Sequence, residues 1–217
     1  MRMVIRGMGE LCITAGIIVM LFVTYELWGT GQYTSAQQHE LGKQLMKTWQ
    51  APAKPTTEKV RLGKGLAMIR IPKFGKGYHY VIIEGVTVPD LRKGPGHYPG
   101  TALPGQVGNF VVSGHRTTYS APFNKLGDLD RGDRILIDTR DHQYVYEMTD
   151  RKIVKPAEVD VTAPVPFHPG RRPTRPTITL TTCHPKYSAA KRMIIFGELV
   201  SAAPRVAPSA PSAAAGK

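Results

Sequence analysis

Two cysteines occur in the chain, and only Cys183 lies outside a long apolar segment near the N-terminus. It ends the run TITLTTC, in which Thr177, Thr179 and Thr181 alternate with Ile178 and Leu180, the period-two signature of a half-buried strand. A second apolar run, 192–200, follows a short polar segment whose Pro185 and Ser188 suit a connection. If the two runs pair as an antiparallel hairpin, Arg192 opens the return strand beside Cys183. That pairing brings a fixed cation to a thiol. Only a thiolate attacks, and an ordinary thiol with a pKa of about 8.5 is mostly protonated at neutral pH, so a nucleophilic cysteine needs a neighbouring cation or His. The same Arg192 is a candidate to hold a developing oxyanion. Taken singly, a buried small cysteine and a solvated strand-end arginine are the commoner fates of these residues.

Seven histidines compete as the base. His115 leads, because it ends an apolar strand, NFVVSGH, at a Gly-His turn, and small barrels place ligands at such strand mouths. His184 adjoins Cys183, but neighbours on an extended strand face opposite ways. His39, His97, His142 and His168 fall in polar or loop segments where solvation is the default, and His79 suits cross-strand packing. The choice among them stays open on residue types alone.

The elements that must position these groups are short strands. Runs at 66–72, 78–85, 109–115, 133–139, 143–154, 176–182 and 192–200 carry strand character, with one more expected near Thr101. Gly and Pro punctuate the gaps, and short helices fit only at 88–93 and 121–126. The fold class expected is therefore all-β with short helices, a closed barrel of seven to eight strands over 65–200, with a sandwich as the fallback. The connection 155–176 carries six prolines and leads into the cysteine strand; next to a nucleophile it is suited to wall a substrate groove.

Residues 11–25 contain no charge, and 8–28 would make a helix of about 31 Å, enough to span a bilayer. Arg2 and Arg6 precede this segment, whereas the next basic residue beyond it is Lys43, so the positive-inside rule sets 1–7 in the cytoplasm and the rest outside. Tyr25 and Trp28 suit the outer aromatic belt. An uncleaved anchor is preferred to a signal peptide, because the small residues Thr34 to Ala36 lie far beyond the apolar run. Segment 29–64 is polar and reads as a stalk, within which 39–49 suits a short helix with Leu41, Leu45 and Met46 on one face to lie on the domain or the membrane, and 201–217 reads as a disordered Ala/Pro/Ser tail. In an exported domain Cys183 has no intrachain partner, which favours chemistry over structure. The net charge of +13 is scattered and no nucleic-acid motif accompanies it; anionic wall or membrane polymers suit it better. The cysteine and histidine spacings offer no metal site, and nothing calls for a cofactor.

These motifs resemble the sortases, membrane-anchored cysteine transpeptidases of Gram-positive bacteria. TLTTCHP is similar to their Thr-Leu-x-Thr-Cys signature, SGHR at 113–116 to their His motif, and KRMIIFGEL carries an Arg in the family's place. YHYVIIEGV, the stretch from KGPGHYPG to KLGDLDRGD, and HPKYSAAKRM look like class E, the actinobacterial type. The resemblance implies Cys183 as nucleophile, His115 as acid/base partner and Arg192 as the substrate-orienting or oxyanion-stabilising cation. Thr182, next to the nucleophile, would line the substrate site as a supporting neighbour or as a backbone support for the oxyanion, and Tyr98 would read the Ala of a Leu-Ala-x-Thr-Gly sorting signal. The reaction implied cleaves that signal between Thr and Gly through a thioester and passes the protein to a cell-wall precursor amine, on lipid II or a stem peptide. The alternatives are a pilus-type or Leu-Pro-x-Thr-Gly-specific sortase and a non-catalytic wall-binding module. An L,D-transpeptidase is disfavoured because its Ser-His-Gly-Cys arrangement is absent.

Overall fold

The computed structural model describes residues 2–51 and 61–205; within them the side chains of Leu27 and Trp28 lie outside the description, as do the segment 52–60 and the tail 206–217. Trp28 as a belt residue and the tail beyond 205 are therefore not described. The helix α1 (Arg2–Thr24) is apolar, long enough to cross a membrane and has no buried residue. A single π-turn (Tyr25–Gly29) carries it into α2 (Thr30–Gln50).

The sequence suggested a stalk from residue 29, but α2 packs on the domain. Leu41 and Leu45 are buried with Val81 and Ile83, and Trp49 closes that cluster. Four positions face the barrel, Thr30, Thr34, Leu41 and Leu45, a stripe at helical spacing. Thr30 donates its hydroxyl to the Glu26 carbonyl at 2.6 Å, and Thr34 shares its one hydroxyl proton between the Arg92 carbonyl at 2.7 Å and the Thr30 carbonyl at 3.2 Å, so the stripe can include threonines without orphaned polar groups.

Eight strands follow: β1 (Gly65–Arg70), β2 (His79–Glu84), β3 (Gly96–His97), β4 (Gly108–Ser113), β5 (Arg134–Asp138), β6 (His142–Val154), β7 (Pro176–His184) and β8 (Lys191–Pro204). They close a barrel in the order β1-β2-β3-β4-β7-β8-β6-β5, parallel at β2/β3 and β4/β7 and antiparallel elsewhere. Closure removes both sheet edges. Inward residues such as Ile69, Ile82, Phe110, Ile137, Tyr146, Ile178, Leu180 and Ile195 fill the interior.

Several elements differ from expectation. The eighth strand lies at Gly96–His97 instead of near Thr101, and 121–126 is turn, with only a 3₁₀ turn at Leu126–Asp128. A short helix, α3, spans Val88–Leu91 within the segment expected for one, its Thr87 cap reciprocated by Asp90. β8 runs to Pro204, past the expected domain end at 200, because it pairs with the long β6 as far as His142.

Candidate active site

Strand alternation settles the face on which Cys183 stands. Ile178 and Leu180 of β7 belong to the core, and Thr182 is 2% exposed, so Thr179, Thr181 and Cys183 take the outer face. On one side β8 sets Arg192 directly opposite Cys183, the hairpin register expected from the sequence. On the other side the parallel neighbour β4 sets Ser113 opposite Thr181, and the Gly114 N–H donates to the Thr181 carbonyl at 3.1 Å. His115 follows Gly114 directly, just beyond the end of β4, so the chain that carries it leaves the barrel beside the cysteine end of β7.

Among the described residues no hydrogen bond joins His115 to Cys183. The His115 ring stacks obliquely on Tyr119 with centroids 4.9 Å apart. Burial, aided by the Arg92 guanidinium, pulls its pKa below the ordinary histidine value. Arg192 donates from Nη1 to the carbonyls of Ala189 at 2.9 Å and Lys191 at 3.1 Å, which holds its guanidinium against the β7–β8 turn. Thr182 faces inward, where its hydroxyl donates to the Gly114 carbonyl at 2.8 Å. It braces the two strand ends from behind and does not share the outer face with Cys183.

Arg116 is the residue that sequence reasoning missed. It is 7% exposed, and its Nη1 donates to the Cys183 carbonyl at 3.1 Å and to the His184 ring Nδ1 at 3.0 Å. Its Nε is buried without a partner. Burial lowers the guanidinium pKa, opposed by Asp128 and Cys183. Thus a cation is locked against the backbone of Cys183. The SGHR motif contained the signal, since an Arg immediately after the candidate base deserved a place beside it.

Tyr98 is half-buried at the end of β3, its N–H donating to the Val111 carbonyl at 3.0 Å. Its support comes from His97, which is not a solvated loop residue. His97 is 1% exposed, with Nδ1 2.7 Å from Glu84 Oε2, Nε2 2.8 Å from Thr101 Oγ1, and its ring on Phe110. The Thr101 hydroxyl in turn donates to the Tyr98 carbonyl at 2.8 Å. This buried network fixes the loop that carries Tyr98.

The connection 155–175 crosses the outer face of the barrel. Asn109, 1% exposed, donates from Nδ2 to the carbonyls of Val161 and Ala163 at 3.1 and 3.0 Å, and accepts the Thr179 hydroxyl at 2.7 Å. Val161 and Phe167 pack on Ile194 and Phe196, outward residues of β8 beyond Arg192. The loop therefore covers β4, β7 and β8 on the side away from the strand ends. A cavity of 390 Å³ opens between this loop and 100–109. Another cavity, of 520 Å³, lies between α2 and β1–β2. Among the described residues no group of His, Cys, Asp and Glu could hold a metal ion.

A closed eight-stranded barrel of this topology, with Cys183 and Arg192 paired across β7 and β8, defines a known class of barrel. The model of the Sortase domain matches residues 69–200, and the chain belongs to the sortase family. Sortase SrtE1 of Streptomyces coelicolor is 36% identical over 208 residues, which cover 92% of this chain and 58% of that protein. The chain thus spans little more than half the length of that relative. Among solved structures, the SrtF sortase of Corynebacterium diphtheriae superposes with a TM-score of 0.66 at 32% identity, over 75% of this chain and 98% of that one. Sortase E1 of Streptomyces coelicolor, solved with a tripeptide in its active site, gives 0.61 at 37% identity over 68% and 94%. These relatives agree with the class E resemblance.

Proposed function

We propose that the chain is a membrane-anchored cysteine transpeptidase that cleaves a C-terminal sorting signal between Thr and Gly and transfers the protein to a cell-wall amine. The observation that supports this reading is the register: β8 sets Arg192 opposite Cys183, and β4 sets Ser113 opposite Thr181, so the chain that bears His115, two residues beyond, leaves β4 beside the cysteine end of β7. Cys183 gives its thiol proton to His115 and the resulting thiolate attacks the Thr carbonyl carbon, while Arg192 turns from its carbonyls to the oxyanion. As the C–N bond breaks, His115 gives its proton to the leaving Gly amine, and an acyl thioester remains on Cys183. An incoming amine of lipid II or a stem peptide attacks that thioester, His115 takes the amine's proton, and the thiolate leaves.

Tyr98 meets β4 at Val111, two residues before the strand end that leads to His115. That spacing suits a side chain that reads the second position of a Leu-Ala-x-Thr-Gly signal. The helix α1 serves as the anchor, with 1–7 cytoplasmic and the barrel outside, as the Arg2 and Arg6 asymmetry directs.

Intact-mass analysis of the full chain with a Leu-Ala-x-Thr-Gly peptide tests this reading. A thioester adduct on the parent, absent from Cys183→Ala and released by an added amine, is the expected result. An adduct only with the Leu-Pro-x-Thr-Gly peptide reassigns the signal. No adduct with either peptide while the thiol is reduced and the chain folded refutes transpeptidation.

A further inference from the structure

The segment that follows His115 is unusual in its backbone and in what holds it. Tyr119, Ser120 and Ala121 have φ of 53°, 59° and 43°, a left-handed region that residues with side chains rarely occupy in succession. The Phe123 N–H donates to the His115 carbonyl at 3.0 Å, so 115–123 closes into a loop rooted at His115. Such a conformation persists only where its surroundings impose it.

Those surroundings are supplied in large part by α2. The Tyr119 N–H donates to Thr30 Oγ1 at 3.3 Å, the Ser120 hydroxyl donates to the Gly31 carbonyl at 2.9 Å, and the hydroxyls of Ser35 and Ser120 are 3.3 Å apart. Thr34, fully buried, donates to the Arg92 carbonyl at 2.7 Å. Arg92 lies 5.8 Å over the Tyr119 ring, and that ring lies on His115. From the other side Tyr80 donates its hydroxyl to the Ser120 carbonyl at 3.1 Å. The same helix continues without a break in helical structure into the apolar α1.

We infer that α2 is a built-in part of the active site, with Thr30 and Thr34 as positioning residues that hold His115 through Tyr119 and Arg92. The inference rests on His115 being the acid/base partner. Thr30 fixes the backbone of the loop that roots at His115, and Thr34 fixes the residue whose cation faces the ring. The membrane anchor and the base are thereby one mechanical unit, and release of α2 lets the loop leave its left-handed conformation.

The test uses the full chain in lipid nanodiscs. Variants Thr30→Val, Thr34→Val and their double remove the hydroxyls at nearly constant shape; Thr48→Val on the same helix, whose hydroxyl meets only the Gln44 carbonyl at 2.9 Å, is the control. The double variant should lose about 10- to 100-fold in kcat, the scale of a base displaced by an ångström, with KM within about twofold. In ¹³C-histidine spectra the His115 titration should move up toward the ordinary value of about 6.5 as the ring loses its cover. Thr34→Ser should restore the Thr34→Val loss. If the double variant does not fold, Ser120→Ala, which breaks the Gly31 link from the loop side, must show the same kcat loss and titration change. Parent-like kcat and titration in the folded variants overturn the inference. His115→Ala separates the two claims: if it is folded and inactive while the threonine variants behave as the parent, the strut fails alone, and if it turns over normally, the assignment of His115 falls and the strut with it.

Discussion

Replacing Asn109 by Leu should unfasten the loop that covers the outer face. The amide makes three hydrogen bonds, two to carbonyls of the 3₁₀ segment around Val161 and one from Thr179, all at a position 1% exposed. Each neutral hydrogen bond contributes about 1 kcal/mol net, and an orphaned buried partner raises the loss, so the variant should lose about 3 kcal/mol. For a domain of this size, about 2–4 °C per kcal/mol converts this to a melting-point fall of roughly 6–12 °C. The sign of a second substitution makes the reasoning sharper. Thr179 is fully buried, and in the Asn109→Leu background its hydroxyl has lost its acceptor. Thr179→Val should therefore cost about 1 kcal/mol in the parent and regain about as much in the Leu background, because removing both partners of a buried bond is nearly neutral. Thermal melts of the four chains give the cycle. Hydrogen exchange should localise the loss to Val159–Thr162, and KM for the sorting-signal peptide should rise if the loop walls the groove. A melting point within about 2 °C of the parent, or a second substitution that costs equally in both backgrounds, refutes the argument.

Arg116→Met should leave the melting point within about 3 °C of the parent, because relief of a buried cation offsets its lost bonds, while turnover falls about a hundredfold; parallel melts and peptide assays decide it. His115 gives a pH dependence of definite sign, since burial and then Arg92 depress its pKa in the folded state. Above about 6.5 both states are neutral and the group contributes nothing; as the pH falls, the unfolded ring takes its proton first and stability drops until the depressed folded value is passed. His115→Gln should flatten the fall in melting point between about pH 7 and pH 5, and an unchanged slope would show that the ring is not held neutral.

The strands were legible because alternation is a local signal: TITLTTC sorted its inward from its outward residues, and the hairpin that sets Arg192 across from Cys183 needs only a turn and two runs. β3 escaped because two residues cannot display a period. The helix α2 was read as a stalk because half of its buried stripe is threonine, which composition counts as polar. What composition omits is that each hydroxyl bonds to its own helix and then, at Thr34, to Arg92 as well.

The site itself divides along the same line. Cys183 and Arg192 are hairpin neighbours and could be paired from sequence, whereas the chain that bears His115 and Arg116 is brought to the cysteine strand only through the parallel contact of β4 with β7. Parallel strands need a crossover, and here the intervening chain contains β5, β6 and the long loop. No local pattern states which strand fills the vacancy beside β7. Resemblance therefore carried His115, while Arg116 had only its place after a histidine to recommend it. Its burial follows from the same crossover: once β4 lies along β7, the residue after the base is pressed against the Cys183 carbonyl, and a guanidinium can stay there because that carbonyl and the His184 ring accept its protons. The arrangement makes a specific demand on β4. Gly114, between strand and base, has no room for a side chain, since a Cβ there would stand 2.7 Å from Phe123 Cδ2. The turn that delivers His115 and Arg116 together thus depends on a glycine packed against the core.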